Sequence, residues 1–290
     1  MKPSILDRGL FCLEMNEAIF RFIENQWGPI DPLGEAGLRM EEWQRLAEKA
    51  FQKKINSLES IVPLKHCIRL VGQSGAGKTS QLLPAVNFAL QMNKKTFVSL
   101  AVRDFVEFHP RLNEIKERFG ESLLREKTNA FALTLLTLVF QRCVESHLPI
   151  LFEVTLLSPL YEEFIHQLLL KEGYGCDYLC LAVSKTVSDG WIQARFLESQ
   201  RIVSKSSSDF FFNTLHPAME SIRTYSLKNR VFIWGRNSRE PIVTSLGDSS
   251  FLDMFLAEQN VCEGGLSLEE GLDTKKSFLC QFYQENGVCV

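Results

Sequence analysis

The apolar positions of this 290-residue chain change rhythm once. Before residue 62 they recur at helical spacing. Leu13 to Trp27 forms one amphipathic stretch. A second, from about Arg39 to Leu58, puts Trp43, Leu46, Ala47, Ala50, Phe51 and Ile55 on one face. Between them stand the breakers Gly28, Pro29, Pro32, Gly34 and Gly37, and Pro63 closes the section. The amphipathic stripes predict a helical extension, either packed on the remainder of the chain as structure or serving as a regulatory or partner-binding region.

From residue 64 short apolar runs alternate with helical patterns. Strands are predicted at His66–Val71, Thr96–Val102, Ile150–Thr155 and Asp177–Ser184. Helices are predicted from Lys78 to about Met92 and at Asn129–Ser146, Pro159–Lys171 and Ser188–Ser199. Strands and helices of these lengths in alternation imply βαβ crossovers. The fold class is therefore α/β, a mostly parallel sheet flanked by helices. Arg230–Trp234 and Ile242–Ser245 flank a turn-rich stretch and read as late edge strands, with a hairpin as one arrangement. A helix near Phe251–Glu258 follows. After Val261 the chain is rich in glycine and charge and reads as an appended tail. The division is thus 1–62 helical extension, 63–260 catalytic-type domain and 261–290 C-terminal tail.

Composition narrows the class without choosing a function. Hydrophobic residues make up 45% and charged residues 23%, with a formal net charge of −3. Enough apolar mass is present to offset chain entropy, so a disordered chain is excluded. The slightly acidic balance does not suggest nucleic acid or an anionic membrane as partner. No run of about 18 apolar residues or secretory leader is evident, so a cytoplasmic protein is expected. None of the eight cysteines forms a CxxC pair. They read as buried reduced thiols, with Cys176 and Cys180 on one side of a strand. His66, His147, His166 and His216 lack metal-ligand spacing, and Phe210, Phe211 and Phe212 read as core aromatics of a helix.

The strongest chemical signal is Gly72-Gln73-Ser74-Gly75-Ala76-Gly77-Lys78-Thr79, the phosphate-binding pattern G-x-x-x-x-G-K-[ST], followed by Ser80. Glycines let the backbone turn tightly and approach a phosphate. Successive N–H groups then face one concavity, and the following helix adds its positive end. In such a loop Lys78 reaches the β- and γ-phosphates and Thr79 ligates Mg²⁺. The pattern predicts nucleotide binding and leaves the fate of the phosphate open.

Further landmarks make the match specific. Val71 to Ser80, then Phe105 with His109-Pro110, then Glu153-Val154-Thr155, then Gly173-Tyr174 ahead of Ala182-Val183 occur in order. Arg195, Arg201, Lys205 and Asp209 follow. Together these resemble the zeta-toxin family over about residues 64–260. The resemblance implies a P-loop kinase fold that uses ATP and Mg²⁺. It implies γ-phosphate transfer to a hydroxyl of a UDP-N-acetylamino sugar, usually UDP-N-acetylglucosamine, and a small helical antitoxin protein as partner. It further implies that Lys78, Arg195 and Arg201 act on the transferring phosphate, and that Glu153 and Thr155 lie on the acceptor side.

The acceptor side departs from the family pattern. The family's base is an aspartate six residues before the motif histidine, and here that position is Arg103. An arginine stays protonated and cannot accept the acceptor's proton. Either the next residue, Asp104, is the catalytic base, or the base is absent and the protein is a nucleotide-binding interaction module. The family's acceptor-side arginine and glutamate align with Leu157 and about Thr137. Loss of polar contacts there opens the choice of acceptor, with NAD as one alternative.

Overall fold

The computed structural model describes residues 17–33, 38–58, 60–155, 158–199, 205–223, 229–235, 240–244, 248, 250–260 and 268–286. By backbone contacts the chain divides into two compact units. One comprises residues 1–50 and 102–139, and the other 51–101 and 140–290.

The first unit contains helix α1 (17–27), the first turns of α2 (Met40–Asn56), a 3₁₀ segment over Val102–Phe108, α4 (Leu112–Phe119) and most of α5 (Glu121–Glu145). Ile19, Ile23 and Trp43 are buried, as the amphipathic stripes predict. The Trp43 ring lies 6.0 Å from Phe20 and 5.1 Å from Phe131. The helical front of the chain is therefore packed structure, although the part of the first predicted helix before residue 17 lies outside the described residues.

The second unit is built on a six-stranded sheet ordered β2-β3-β1-β4-β5-β6. Its strands are β1 (His66–Val71), β2 (Val98–Ala101), β3 (Ile150–Glu153), β4 (Gly175–Ala182), β5 (Asn229–Gly235) and β6 (Ile242–Thr244). Five strands are parallel and β6 returns antiparallel on β5. The hairpin is thus real, and of its two strands β6 lies at the sheet edge while β5 is interior. The helices are α3 (Leu83–Met92), α6 (Pro159–Lys171), α7 (Lys185–Ser199), α8 (Lys205–Ile222), α9 (Phe251–Asn260) and α10 (Leu268–Asn286). Helix α6 starts where the sequence says it must. Ser158 accepts the Tyr161 N–H as its cap, and Pro159 occupies the first turn.

One sheet face buries Ile68, Leu70, Leu179, Leu181, Phe232 and Trp234 against Ala85, Val86 and Ala89 of α3 and Leu279 and Tyr283 of α10. Residues 268–286, which the sequence reading assigns to an appended tail, are therefore a helix packed into the core. At the base of this face, the fully buried Asp177 accepts His66 Nε2 at 3.1 Å, Arg230 Nε and Nη2 each at 2.7 Å, and Tyr283 Oη at 3.3 Å. Burial alone would raise its carboxyl, but the hydrogen bonds from His66 and Arg230 outweigh it and hold Asp177 below the usual range. The opposite face buries Arg69 against Glu162 of α6 at 2.6 Å, with the guanidinium 5.2 Å from the Phe152 ring centre. Cys67, Cys143, Cys176 and Cys180 are buried free thiols, as expected, whereas Cys280 is free but only half-buried, and Cys12, Cys262 and Cys289 lie outside the described residues. Phe210, Phe211 and Phe212 on α8 are only half-buried, since three consecutive helical residues point about 100° apart and cannot all face the core.

Candidate nucleotide-binding site

Central strand β1 delivers the glycine loop at its C-terminal end, between β3 and β4. Open parallel sheets hold their ligands at this edge, beside the point where the chain changes direction across the sheet. Gly72, with φ of 148°, and the next two loop glycines are obligatory in conformation. Gly75 and Gly77 have φ of 81° and 101°, values that strain any side chain with a Cβ. Gly77 then opens the helix.

The first turn of that helix is not a regular α turn. Over Lys78–Leu82 the backbone widens to a π turn, with Leu83 N–H bonding the Lys78 carbonyl five residues back. Pro84 follows immediately. It supplies no N–H, and its ring would press on the carbonyl four residues back, so a wider turn relieves the conflict.

The loop's side chains are already organised. Lys78 Nζ donates to the Gly72 carbonyl and, at 2.9 Å, to the Gln73 carbonyl. The Thr79 hydroxyl donates to Glu153 Oε1. Glu153 ends β3 and is 8% exposed, so its carboxyl group is buried beside the loop. Thr155 lies two residues beyond and is half-buried, and Ser80 is exposed with its hydroxyl 3.5 Å from the Gly77 carbonyl. The hydroxyl–carboxylate pair has the oxygen chemistry that Mg²⁺ prefers. Among the described residues no cluster of three or more His, Cys, Asp or Glu forms a metal site of its own.

The other predicted residues fall as follows. Arg195 stands on α7, its side chain outside the described set, and Arg201 and Leu157 also lie outside it. Asp104 belongs to the first unit. The strand predicted through Val102 stops at Ala101, and Asp104 sits on the 3₁₀ segment with Arg103 Nε 3.7 Å from its Oδ1. His109, 5% exposed, orders its turn: Nδ1 accepts the Arg111 N–H at 3.1 Å and the ring packs 4.5 Å from Phe131. Burial holds its imidazole below the ordinary value. Thr137 is fully buried, its hydroxyl turned to the Leu133 carbonyl at 2.8 Å.

Sequence reasoning missed the surroundings of the loop. Gln73 reaches out of the motif to the end of β4, where its amide donates to the Val183 carbonyl. Arg69 and Glu162 form a buried pair, 93 residues apart in sequence. Nothing in a single sequence marks either partner.

A glycine loop on the central strand of a parallel sheet, leading into a helix with lysine and threonine in its first turn, defines a P-loop protein of kinase-like fold. The family model described as Zeta toxin matches residues 43–243, and the chain belongs to the zeta toxin family. Among solved structures it is similar to one from the PezAT chromosomal toxin–antitoxin system of Streptococcus pneumoniae. The TM-score is 0.64 at 20% identity, over 86% of this chain and 98% of that one. A complex of AvrRxo1-ORF1 and AvrRxo1-ORF2 with ATP gives a TM-score of 0.47 at 12% identity, over 85% and 91% of the two chains. A putative kinase from Chloroflexus aurantiacus gives 0.37 at 16% identity, over 52% and 76%. No curated protein matches the sequence. Among the described residues no helix is long and apolar enough to cross a membrane.

Proposed function

We propose that this protein is an ATP- and Mg²⁺-dependent small-molecule kinase that transfers the γ-phosphate to a hydroxyl of a UDP-N-acetylglucosamine-like acceptor. The observation that carries the reading is the Thr79–Glu153 hydrogen bond at the mouth of the glycine loop. It joins a hydroxyl and a buried carboxylate where a nucleotide-bound cation needs oxygen partners.

In this reading the N–H groups of residues 72–80 cradle the phosphates. Lys78 leaves the Gly72 and Gln73 carbonyls for the β- and γ-phosphates. Thr79 would hold Mg²⁺, with Glu153 beside it, and a bound ion would supply positive charge to the phosphate oxygens. Arg195 and Arg201 stabilise the transferring phosphoryl group. Asp104 accepts the acceptor's hydroxyl proton, and Glu153 and Thr155 border the acceptor. Residues 63–260 make up the kinase portion, and the protein acts in the cytoplasm. The relative from Streptococcus pneumoniae belongs to a toxin–antitoxin system, which supports a small helical antitoxin as partner here.

The test is incubation of the purified protein with ATP, Mg²⁺ and UDP-N-acetylglucosamine, read by mass spectrometry. A gain of one phosphate, lost in Asp104→Asn, is expected. ATP binding without any phosphorylated sugar nucleotide would refute this acceptor. A second reading keeps the kinase and changes the acceptor, NAD being one example. It is favoured by Thr137, whose buried hydroxyl is turned to its own helix at the position aligned with an acceptor contact. Screening a metabolite extract for ATP-dependent phosphorylation separates the two. ATP bound with no acceptor phosphorylated would instead identify a nucleotide-gated interaction module.

A further inference from the structure

The glycine loop is braced by one continuous segment, the end of β4 and the start of α7. A Cβ on Gly72 would stand 3.1 Å from the Leu181 carbonyl oxygen and 3.2 Å from Ala76 Cβ. A Cβ on Gly75 would overlap the Ser188 carbonyl and lie 3.1 Å from Ile192 Cγ1. Between these contacts Gln73, 1% exposed, donates through Nε2 to the Val183 carbonyl. Leu181, Val183, Ser188 and Ile192 follow one another along the chain from β4 into α7. The loop thus rests on this junction at three successive points, and at one of them Gln73 is hydrogen-bonded to it through its side-chain amide.

The same residue has a second connection. Its backbone carbonyl accepts Lys78 Nζ at 2.9 Å and the Ala76 N–H at 3.2 Å. The side chain fixed to β4 and the carbonyl that steadies the phosphate-binding lysine therefore belong to one residue. A segment with three glycines loses much freedom on ordering. A fixed point inside it lowers the ordering that a ligand must later impose.

We propose that Gln73 is a positioning residue that locks the phosphate-binding loop onto the β4–α7 junction, shaping the cradle before nucleotide arrives. The inference rests on the nucleotide-binding reading of the loop. In this scheme the Gln73 side chain touches no phosphate, and it acts through the backbone of residues 72–77 and through Lys78. The Gln73 Oε1 atom has no hydrogen-bond partner among the described residues. Replacing the side chain by methionine therefore removes one hydrogen bond together with one unpartnered buried acceptor, so global stability changes little while loop order falls.

The test compares Gln73→Met and Gln73→Glu with the wild type by calorimetric ATP titration, thermal unfolding and amide hydrogen exchange of the nucleotide-free protein. Gln73→Met should bind ATP about tenfold more weakly. Its amides at 73–77 should exchange faster, with the melting temperature nearly unchanged. Gln73→Glu lacks a donor at about pH 8 and regains one when protonated, so its affinity relative to wild type should recover towards about pH 6. Wild-type ATP affinity in Gln73→Met, or unchanged exchange at 73–77, would overturn the inference. Failure of the wild type to bind ATP would refute the nucleotide reading instead, and the exchange measurement would still decide what Gln73 does to the loop.

Discussion

His166 is fully buried on α6, with its ring stacked on Tyr178 at 5.7 Å between centroids and 5° between planes. Its Nδ1 lies 2.7 Å from the Glu162 carbonyl, which can only accept, so Nδ1 carries the proton. Nε2 is then the acceptor for the Tyr178 hydroxyl. Burial first, and the nearby Arg69 second, lower the imidazole from 6.5 to about 3. As pH falls the unfolded chain takes up this proton before the folded one does. The stability that the neutral ring contributes is complete above 6.5 and drains away between 6.5 and about 3. The slope is about 1.4 kcal/mol per pH unit, so acidification to about pH 5 removes about 2 kcal/mol. His166→Phe keeps a ring against Tyr178 and removes the titration. Urea unfolding of both proteins at about pH 7 and about pH 5 isolates the effect, because every other group, His109 included, titrates in both. The wild type should lose about 2 kcal/mol more than the variant over this interval. Parallel losses would refute the reasoning, since they would mean that His166 is as easily protonated folded as unfolded.

Lys78→Ala should abolish ATP binding by calorimetry while the protein remains folded by circular dichroism, and wild-type affinity in this variant would refute the phosphate-loop reading. Gly75→Ala forces a Cβ into a left-handed backbone and onto the Ser188 carbonyl. It should cost about 2 kcal/mol or more in urea unfolding and weaken ATP binding, with wild-type values counting against the described packing. Glu162→Leu leaves the Arg69 guanidinium buried without its carboxylate and should cost about 3–5 kcal/mol. Arg69→Met added to it should recover most of that loss, a coupling that a double-mutant cycle measures directly.

The elements most legible in the sequence are those with local signals. Strand β1 is an apolar run that ends on the glycine loop, and α6 begins with a serine cap and a proline; both have the predicted limits. Helix α4 has Leu112, Ile115 and Phe119 at helical spacing but only about two turns, and Glu114, Lys116, Glu117 and Arg118 among its eight residues mask so short a stripe. The first two turns of α5 are hidden for the same reason by Glu121, Arg125, Glu126 and Lys127. Helix α10 is concealed differently. Its buried face runs through Lys275, a charged residue with no exposed surface, and this interrupts the apolar stripe of Leu272, Leu279 and Tyr283. In the site, the loop is legible because its chemistry is a backbone property written in glycines. Glu153 at the end of an apolar strand could be picked out, but its bond to Thr79 could not, because only the parallel pairing of β1 and β3 places their ends side by side. Gln73 is visible as a letter of the motif and invisible as a strut, since its partner, Val183, lies 110 residues away.

The match to the zeta toxin family stops at residue 243, and α10 begins 25 residues later at Leu268. Yet α10 covers the apolar side of the P-loop helix and of β5, and its Tyr283 hydroxyl reaches the carboxylate of Asp177. The stretch matched by the family model is therefore smaller than the stretch that packs into one core. A chain trimmed to the shared region would leave Phe232, Trp234, Val86 and Leu90 facing water, an oily surface directly behind the phosphate loop. Such a chain should be recovered as aggregate rather than as a smaller active protein, and supplying residues 268–286 as a separate peptide should restore it to solution.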